Sequence, residues 1–164
     1  MTKRVFVVPY DNAWPQLFEV EAGRLRTALG ENLRVIEHVG STSVPGLMAK
    51  PIVDLAASVE SLDDLDVAAV EALGYRYVPV FEEELPNRRY FTRGAYHLHV
   101  YEQEHDEFMD YVRFRDYLRT HPEDAQAYGA LKLRLASEHE DDREAYQEAK
   151  APFVARLVAA LRRA

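Results

Sequence analysis

Residues 38–55 read HVGSTSVPGLMAKPIVDL. An apolar strand runs into Gly40, a Ser-Thr-Ser stretch and a Pro-Gly pair follow, and the next apolar segment carries a single aspartate, Asp54. A glycine at a strand end admits positive φ and the close approach of another group. Successive backbone amides at Gly40 can form a concave anion site, to which the hydroxyls of Ser41, Thr42 and Ser43 add donors, and this chemistry suits a phosphate. The same residues would serve as a Ser/Thr turn capping a short helix. A carboxylate within an apolar strand is costly unless paired, hydrogen-bonded or metal-bound. Asp54 therefore reads either as a ligand to a divalent ion bridging phosphate oxygens, or as an acceptor for hydrogen bonds from the loop, with Ser43 and Lys50 as donors.

The elements on either side set the fold class. LRVIEHV (33–39) alternates as a strand, with Leu33, Val35 and Val39 on one face and Ile36 and His38 on the other. PIVDLAASV (51–59) is almost wholly apolar and reads as a strand buried on both faces. Before them, YDNAWPQLFEVEAGRLRTALG predicts a helix capped by Asp11 or Asn12, with Leu17, Phe18, Leu25 and Leu29 inward and Gly30 as its stop. After them, SLDDLDVAAVEALG predicts a second helix with Ser61 and Asp64 as a capping box and Gly74 at its end. YRYVPVF, RRYFTRG and YHLHVYE follow as strands, the last with Tyr96, Leu98 and Val100 on one face and His97, His99 and Tyr101 on the other. From about residue 106 the pattern is helical, with breaks at Pro122 and a kink or break expected at Pro152. The outline is α+β: a mixed sheet packed with helices, then a C-terminal helical segment, all in one domain spanning 1–164.

Composition narrows the function classes. Net charge is −8, so the broad basic footprint that long nucleic acid needs is missing, while a few local cations still suffice for a small phosphorylated ligand. No apolar run approaches 18 residues and the N-terminus lacks a signal-peptide pattern, so no membrane partner is expected. The absence of cysteine excludes disulfides and thiolate metal sites and fits a cytoplasmic protein.

His97 and His99, two apart on a strand, point the same way about 7 Å apart. They could share a metal or donate to one phosphate, and equally could be hydrogen-bonded at a partly solvated sheet face. An Asp-His-His set of Asp54, His97 and His99 would suit a transition metal better than magnesium. Lys50, Arg88, Arg89, Arg115, Arg119, Lys132 and Lys150 are candidates for phosphate contacts, and at most one of Arg88 and Arg89 can face the site.

The stretches YDNAWPQLFEVE, IEHVGSTSVPGLMAKPIVDL, LGYRY, RRYF, HLHVYE, FRDYLRTHPEDAQAYGALK and YQEAKAPF resemble the GrpB family almost end to end. The resemblance implies a nucleotidyltransferase-like fold. In that superfold an apolar residue precedes Gly-Ser, a strand then carries carboxylates at i and i+2, and a later strand supplies a third. Val39-Gly40-Ser41 matches the first element and Asp54 the first carboxylate, but the second position is Ala56 and the third falls at HLHVYE, where His97 or His99 faces the site. The resemblance thus implies metal-dependent nucleotidyl transfer, with Asp54, His97 and His99 as catalytic and metal-binding residues and magnesium or manganese, with zinc as the alternative, as the ion. A nucleotide or small phosphorylated ligand would sit on Gly40, Ser41, Thr42, Ser43, Lys50, Arg115 and Lys132. Because two-metal transfer needs several carboxylates, Ala56 keeps two alternatives open: a non-catalytic nucleotide- or coenzyme-binding module, and a metal-dependent phosphoesterase.

Overall fold

A computed structural model describes residues 4–164. Helix α1 (Trp14–Leu29) leads through a 3-10 turn (Gly30–Asn32) into strand β1 (Leu33–Val39), a second 3-10 turn (Ser41–Ser43) and strand β2 (Val53–Val59). Helix α2 (Val67–Ala72), strands β3 (Arg76–Tyr77), β4 (Arg88–Arg93) and β5 (Tyr96–Glu102), and helices α3 (Asp106–Thr120), α4 (Pro122–Glu138) and α5 (Arg143–Arg163) complete the chain. The five strands form one sheet in the order β1-β2-β5-β4-β3, with β2 and β5 parallel and every other pair antiparallel. This is the mixed α+β architecture expected from the sequence.

Strand alternation gives the sheet two different faces. Ile36, Leu55, Leu98 and Phe91 project to one side and meet Phe18, Ala22, Leu25 and Leu29 of α1 in the main core. Leu55, Leu98 and Phe91 lie side by side in register and are fully buried. Truncating any of them to Ala would cost about 2–5 kcal/mol, transfer and cavity effects together. On the opposite face, one row runs Val39, Asp54, His97, Thr92, and the next runs Glu37, Ala56, His99, Tyr90. Helix α3 covers part of this second face, where Phe108 packs with Val39, Ala56 and Tyr101. β2 is buried on both sides, as its apolar run implies.

Several local expectations are corrected. Leu17 faces solvent, and Trp14 and Ala22 take the inward positions of α1 with Phe18. Neither Asp11 nor Asn12 is the N-cap residue: Ala13 occupies that position, and its amide donates to Asp11 Oδ1. A register shift between Leu33 and Val35 turns Leu33 onto the α1 core, away from the face of Val39. Helix α2 starts at Val67 with Asp66 as its cap, because Asn32 clamps the backbone of Ser61 through both its amide atoms and holds that segment out of helix. YRYVPVF yields only two strand residues before Pro79 starts a 3-10 turn. Helix α5 continues through Pro152, which sits on its exposed face, where water can satisfy the carbonyl that loses its partner.

Candidate functional site

A cavity of about 740 Å³ opens between the second sheet face and helices α3, α4 and α5. Its floor carries Asp54, His97 and Tyr90, its rim carries Gly40, Ser41 and Lys50, and α4 and α5 contribute Lys132 and Lys150.

Gly40 places the turn against the carboxylate. Its φ is +74°, and a Cβ there would lie 2.6 Å from Asp54 Oδ2. Only glycine allows this approach without a shift. The 3-10 turn that follows uses most of its own donors. The Thr42 hydroxyl donates to the Ile52 carbonyl at 3.0 Å and meets His38 Nε2 at 3.0 Å. Ser43 Oγ donates to the Gly40 carbonyl. Thr42 and Ser43 are both buried, so of the three hydroxyls only that of Ser41 faces the cavity.

Asp54 is held by histidine. His99 Nε2 lies 3.1 Å from Asp54 Oδ1, and Arg88 Nη1 lies 3.3 Å from His99 Nδ1. A guanidinium can only donate, so Nδ1 is the acceptor and the His99 proton sits on Nε2, aimed at Asp54. Burial pushes the Asp54 carboxyl up, but the hydrogen bond and charge of His99, then His97 and Lys150, more than offset it and hold its pKa below the ordinary value. His97 Nδ1 lies 2.8 Å from the Tyr90 hydroxyl and 4.0 Å from Asp54 Oδ1. Burial, assisted by His99, Arg143 and Lys50 and opposed by Asp54, lowers its pKa to about 4, so His97 is neutral near pH 7.

Asp54, His97 and His99 lie together on one sheet face, Asp54 hydrogen-bonded to His99 and with His97 Nδ1 4.0 Å away. Both ring nitrogens of His99 are engaged, one by Arg88 and one by Asp54. Ala56 is fully buried in an apolar wall with Val39 and Phe108. Among the described residues no three His, Asp or Glu side chains form a group that could hold a metal ion. The donor set as it stands fits a resident divalent ion poorly.

Lysine chemistry dominates the other end. Lys132 is 2% exposed, and its Nζ donates to Ser41 Oγ at 2.7 Å while lying 4.5 Å from the centre of the Tyr128 ring. Lys50 and Lys150 flank the Tyr146 ring at 5.3 and 5.4 Å. Among the described residues none of these three lysines makes an ion pair. Burial, then Lys150 and Lys50, lower the Lys132 pKa to about 6. Burial, then Lys150 and Arg143, lower that of Lys50 to about 8, with Asp54 opposing. Burial also lowers that of Lys150.

Gly40, Ser41, Lys50, Asp54, His97 and Lys132 therefore share one cavity, with His99 directly behind Asp54. Arg115 does not join them. It pairs with Glu37 and Asp116 and lines a smaller cleft with His38 and Arg119 on the other side of β1. Of the arginine pair, Arg88 faces the cavity while Arg89 pairs with Glu82. Arg143, Tyr128 and Tyr146 escaped the sequence reading. Their signal is helical spacing: 128 with 132, and 143, 146, 147 and 150, each mark one helix face.

The family model described as GrpB protein matches residues 4–160. UPF0157 protein YqkA of Bacillus subtilis is 34% identical over an alignment of 156 positions that covers 93% of this chain and 46% of YqkA. UPF0157 protein PA4798 of Pseudomonas aeruginosa is 42% identical over an alignment of 167 positions that covers 94% of this chain and 66% of PA4798. The chain thus spans between about half and two-thirds of the length of these two relatives. The crystal structure of conserved protein GrpB from Enterococcus faecalis superposes with a TM-score of 0.88 at 37% identity, covering 95% of this chain and 96% of that one. By its sequence over nearly its whole length and by its fold, the chain belongs to the GrpB family.

Proposed function

We propose that the cavity binds a nucleotide or other phosphorylated small molecule, with its phosphates against Gly40, Ser41, Lys50 and Lys132 and within reach of Lys150 and Arg143. The observation that carries this reading is the trio of lysines without ion pairs in one cavity of a chain with net charge −8. Keeping three lysines charged together in this cavity is unfavourable, and burial lowers the pKa of each. An anion shared among them would reverse that cost, and would add charge-assisted hydrogen bonds.

Nucleotidyl transfer is the reaction that the family resemblance points to. For it, Asp54 oriented by His99 would accept the proton of an attacking hydroxyl, with neutral His97 beside it. The alternative, a binding module without turnover, is favoured by Ala56, whose apolar surroundings leave no second carboxylate for a two-ion site.

Thermal melts with ATP, GTP, pyrophosphate and inorganic phosphate, each with and without Mg²⁺, Mn²⁺ or Zn²⁺, test binding, because a ligand that prefers the folded state raises the melting temperature. Stabilisation by phosphorylated ligands that is lost in Lys132→Met supports the reading, and no stabilisation by any of them overturns it. Pyrophosphate release abolished in Asp54→Asn separates transfer from the module, and metal uptake abolished in His97→Ala would restore the divalent ion.

A further inference from the structure

The cavity is chemically two-ended along α5. Arg143, Tyr146, Gln147 and Lys150, then Ala151, Val154, Ala155 and Val158, all line it. Their spacing of three and four residues places them on one helix face, which from 143 to 158 is about 22 Å long at 1.5 Å per residue. The first half carries both cations. The second half has no hydrogen-bonding side chain, and its alanines leave room beside the valines. Ala151 and Ala155 are exposed, and Val154 and Val158 are half-buried. One turn beyond Val158, Arg162 pairs with Asp110 of α3 and marks the far end. Across the groove, α3 adds Phe114, which packs edge-on to Tyr128 beside Lys132.

We infer that the natural ligand is a phosphate ester of an elongated aliphatic group. Its phosphate meets Ser41, Lys132 and Lys150, and its chain lies along Ala151, Val154, Ala155 and Val158. This rests on the phosphate-binding reading above and adds what the rest of the ligand must be. A nucleobase laid on this strip would turn its polar edge to the alanines and valines of α5, with Asp110 across the groove already paired with Arg162, which is costly. An aliphatic chain loses nothing there and gains by leaving water. The continuity of the strip with the lysines makes a single amphiphile the fitting occupant.

Calorimetric titration with inorganic phosphate and with ethyl, butyl, hexyl and octyl phosphate tests the inference on the full chain. The expected result is measurable phosphate binding and an affinity that rises about two- to fourfold per methylene over several carbons. Ala155→Gln, on an exposed position, should flatten that rise and leave inorganic phosphate binding unchanged. Phosphate binding with no dependence on chain length overturns the inference and leaves the phosphate-binding reading standing. ATP binding far more tightly than octyl phosphate and than tripolyphosphate also overturns it, since the base would then be recognised. A chain-length dependence that survives unchanged in Ala155→Gln places the chain elsewhere and overturns the assignment of the strip. Absence of any phosphate binding defeats the phosphate-binding reading itself.

Discussion

Lys132 Nζ donates to Ser41 Oγ at 2.7 Å, so that a helix from the C-terminal half of the chain is tied to the turn that follows β1. The bond closes the cavity on one side. It also buries an amine whose partner is a neutral hydroxyl. Replacing Lys132 by Met keeps the aliphatic stem and removes the charge. Phosphate or nucleotide binding should fall by at least tenfold, while the unliganded protein melts no lower than the parent. Lys132 binds fewer protons in the fold than in the unfolded chain between its lowered pKa of about 6 and its ordinary value of 10.5. Stability of the parent therefore rises with pH across that window. Chemical denaturation at pH 6.5 and pH 9 should show the rise in the parent and a smaller one in Lys132→Met. An equal rise in both would mean that Lys132 is not the strained group.

Ligand binding should also move protons. With pKa values of about 6 for Lys132 and about 8 for Lys50, both amines are partly or wholly neutral in mildly alkaline solution. A bound phosphate raises both values, so protons are taken up with it. Calorimetry of pyrophosphate binding at pH 8 in two buffers of different ionisation heat should report uptake of a substantial fraction of a proton per site. Affinity should decline above pH 8 as the amines must be charged against a rising cost. Buffer-independent heats would sink the lysine assignment.

How much of this was readable in advance depends on whether the signal was local. Strand alternation put Asp54 and the pair His97 and His99 on definite faces, and the parallel pairing of β2 with β5 then brought Asp54 beside His97. Gly40 was informative because a strand-end glycine before Ser41 has few other uses. The hydroxyls of Thr42 and Ser43 could not be assigned in advance. The 3-10 turn spends them on Ile52 and Gly40, and nothing in a run of Ser and Thr says which acceptor will come near. Arg115 went to Glu37 for a similar reason: helix spacing gives the face but not the partner across the interface. Arg143 and Tyr146 lie about 90 residues beyond Asp54, and only the packing of α5 against α3 and α4 across the cavity brings them in.

The close approach of Gly40 to Asp54 makes Gly40→Ala a sharp probe. The new methyl group would have to occupy space 2.6 Å from Oδ2, at a φ of +74° that L-residues rarely adopt. Backbone strain and displacement of the carboxylate together should cost about 2–3 kcal/mol of stability. Asp54 would be pushed off His99, so any activity that requires the oriented carboxylate should fall more steeply than binding. Urea melts and parallel activity assays on Gly40→Ala and Asp54→Asn check both halves. A Gly40→Ala protein as stable as the parent would show that the turn sits further from Asp54.

Acid should loosen the protein through its buried histidines. His38 is stacked on Phe18 with ring centroids 5.0 Å apart, and its Nε2 lies 3.0 Å from Thr42 Oγ1. Burial, then Arg119, lower its pKa to about 4, with Asp54 opposing and Arg115 assisting, and His97 is also lowered to about 4. In the unfolded chain both would protonate near the ordinary value of about 6.5. The unfolded state therefore binds more protons between about pH 6.5 and 4, and stability is lost as the pH falls through that window. A single buried histidine with such a shift accounts for up to about 3 kcal/mol. Denaturant melts at pH 7 and pH 4.5 should show a loss of a few kcal/mol, larger than carboxylate protonation at surface pairs would produce. His38→Gln places an amide where Nε2 can still be replaced as a partner of Thr42 and cannot gain a proton. It should lower stability at pH 7 and flatten the acid-side slope, and an unchanged slope would move the acid sensitivity to His97 and the Asp54 cluster.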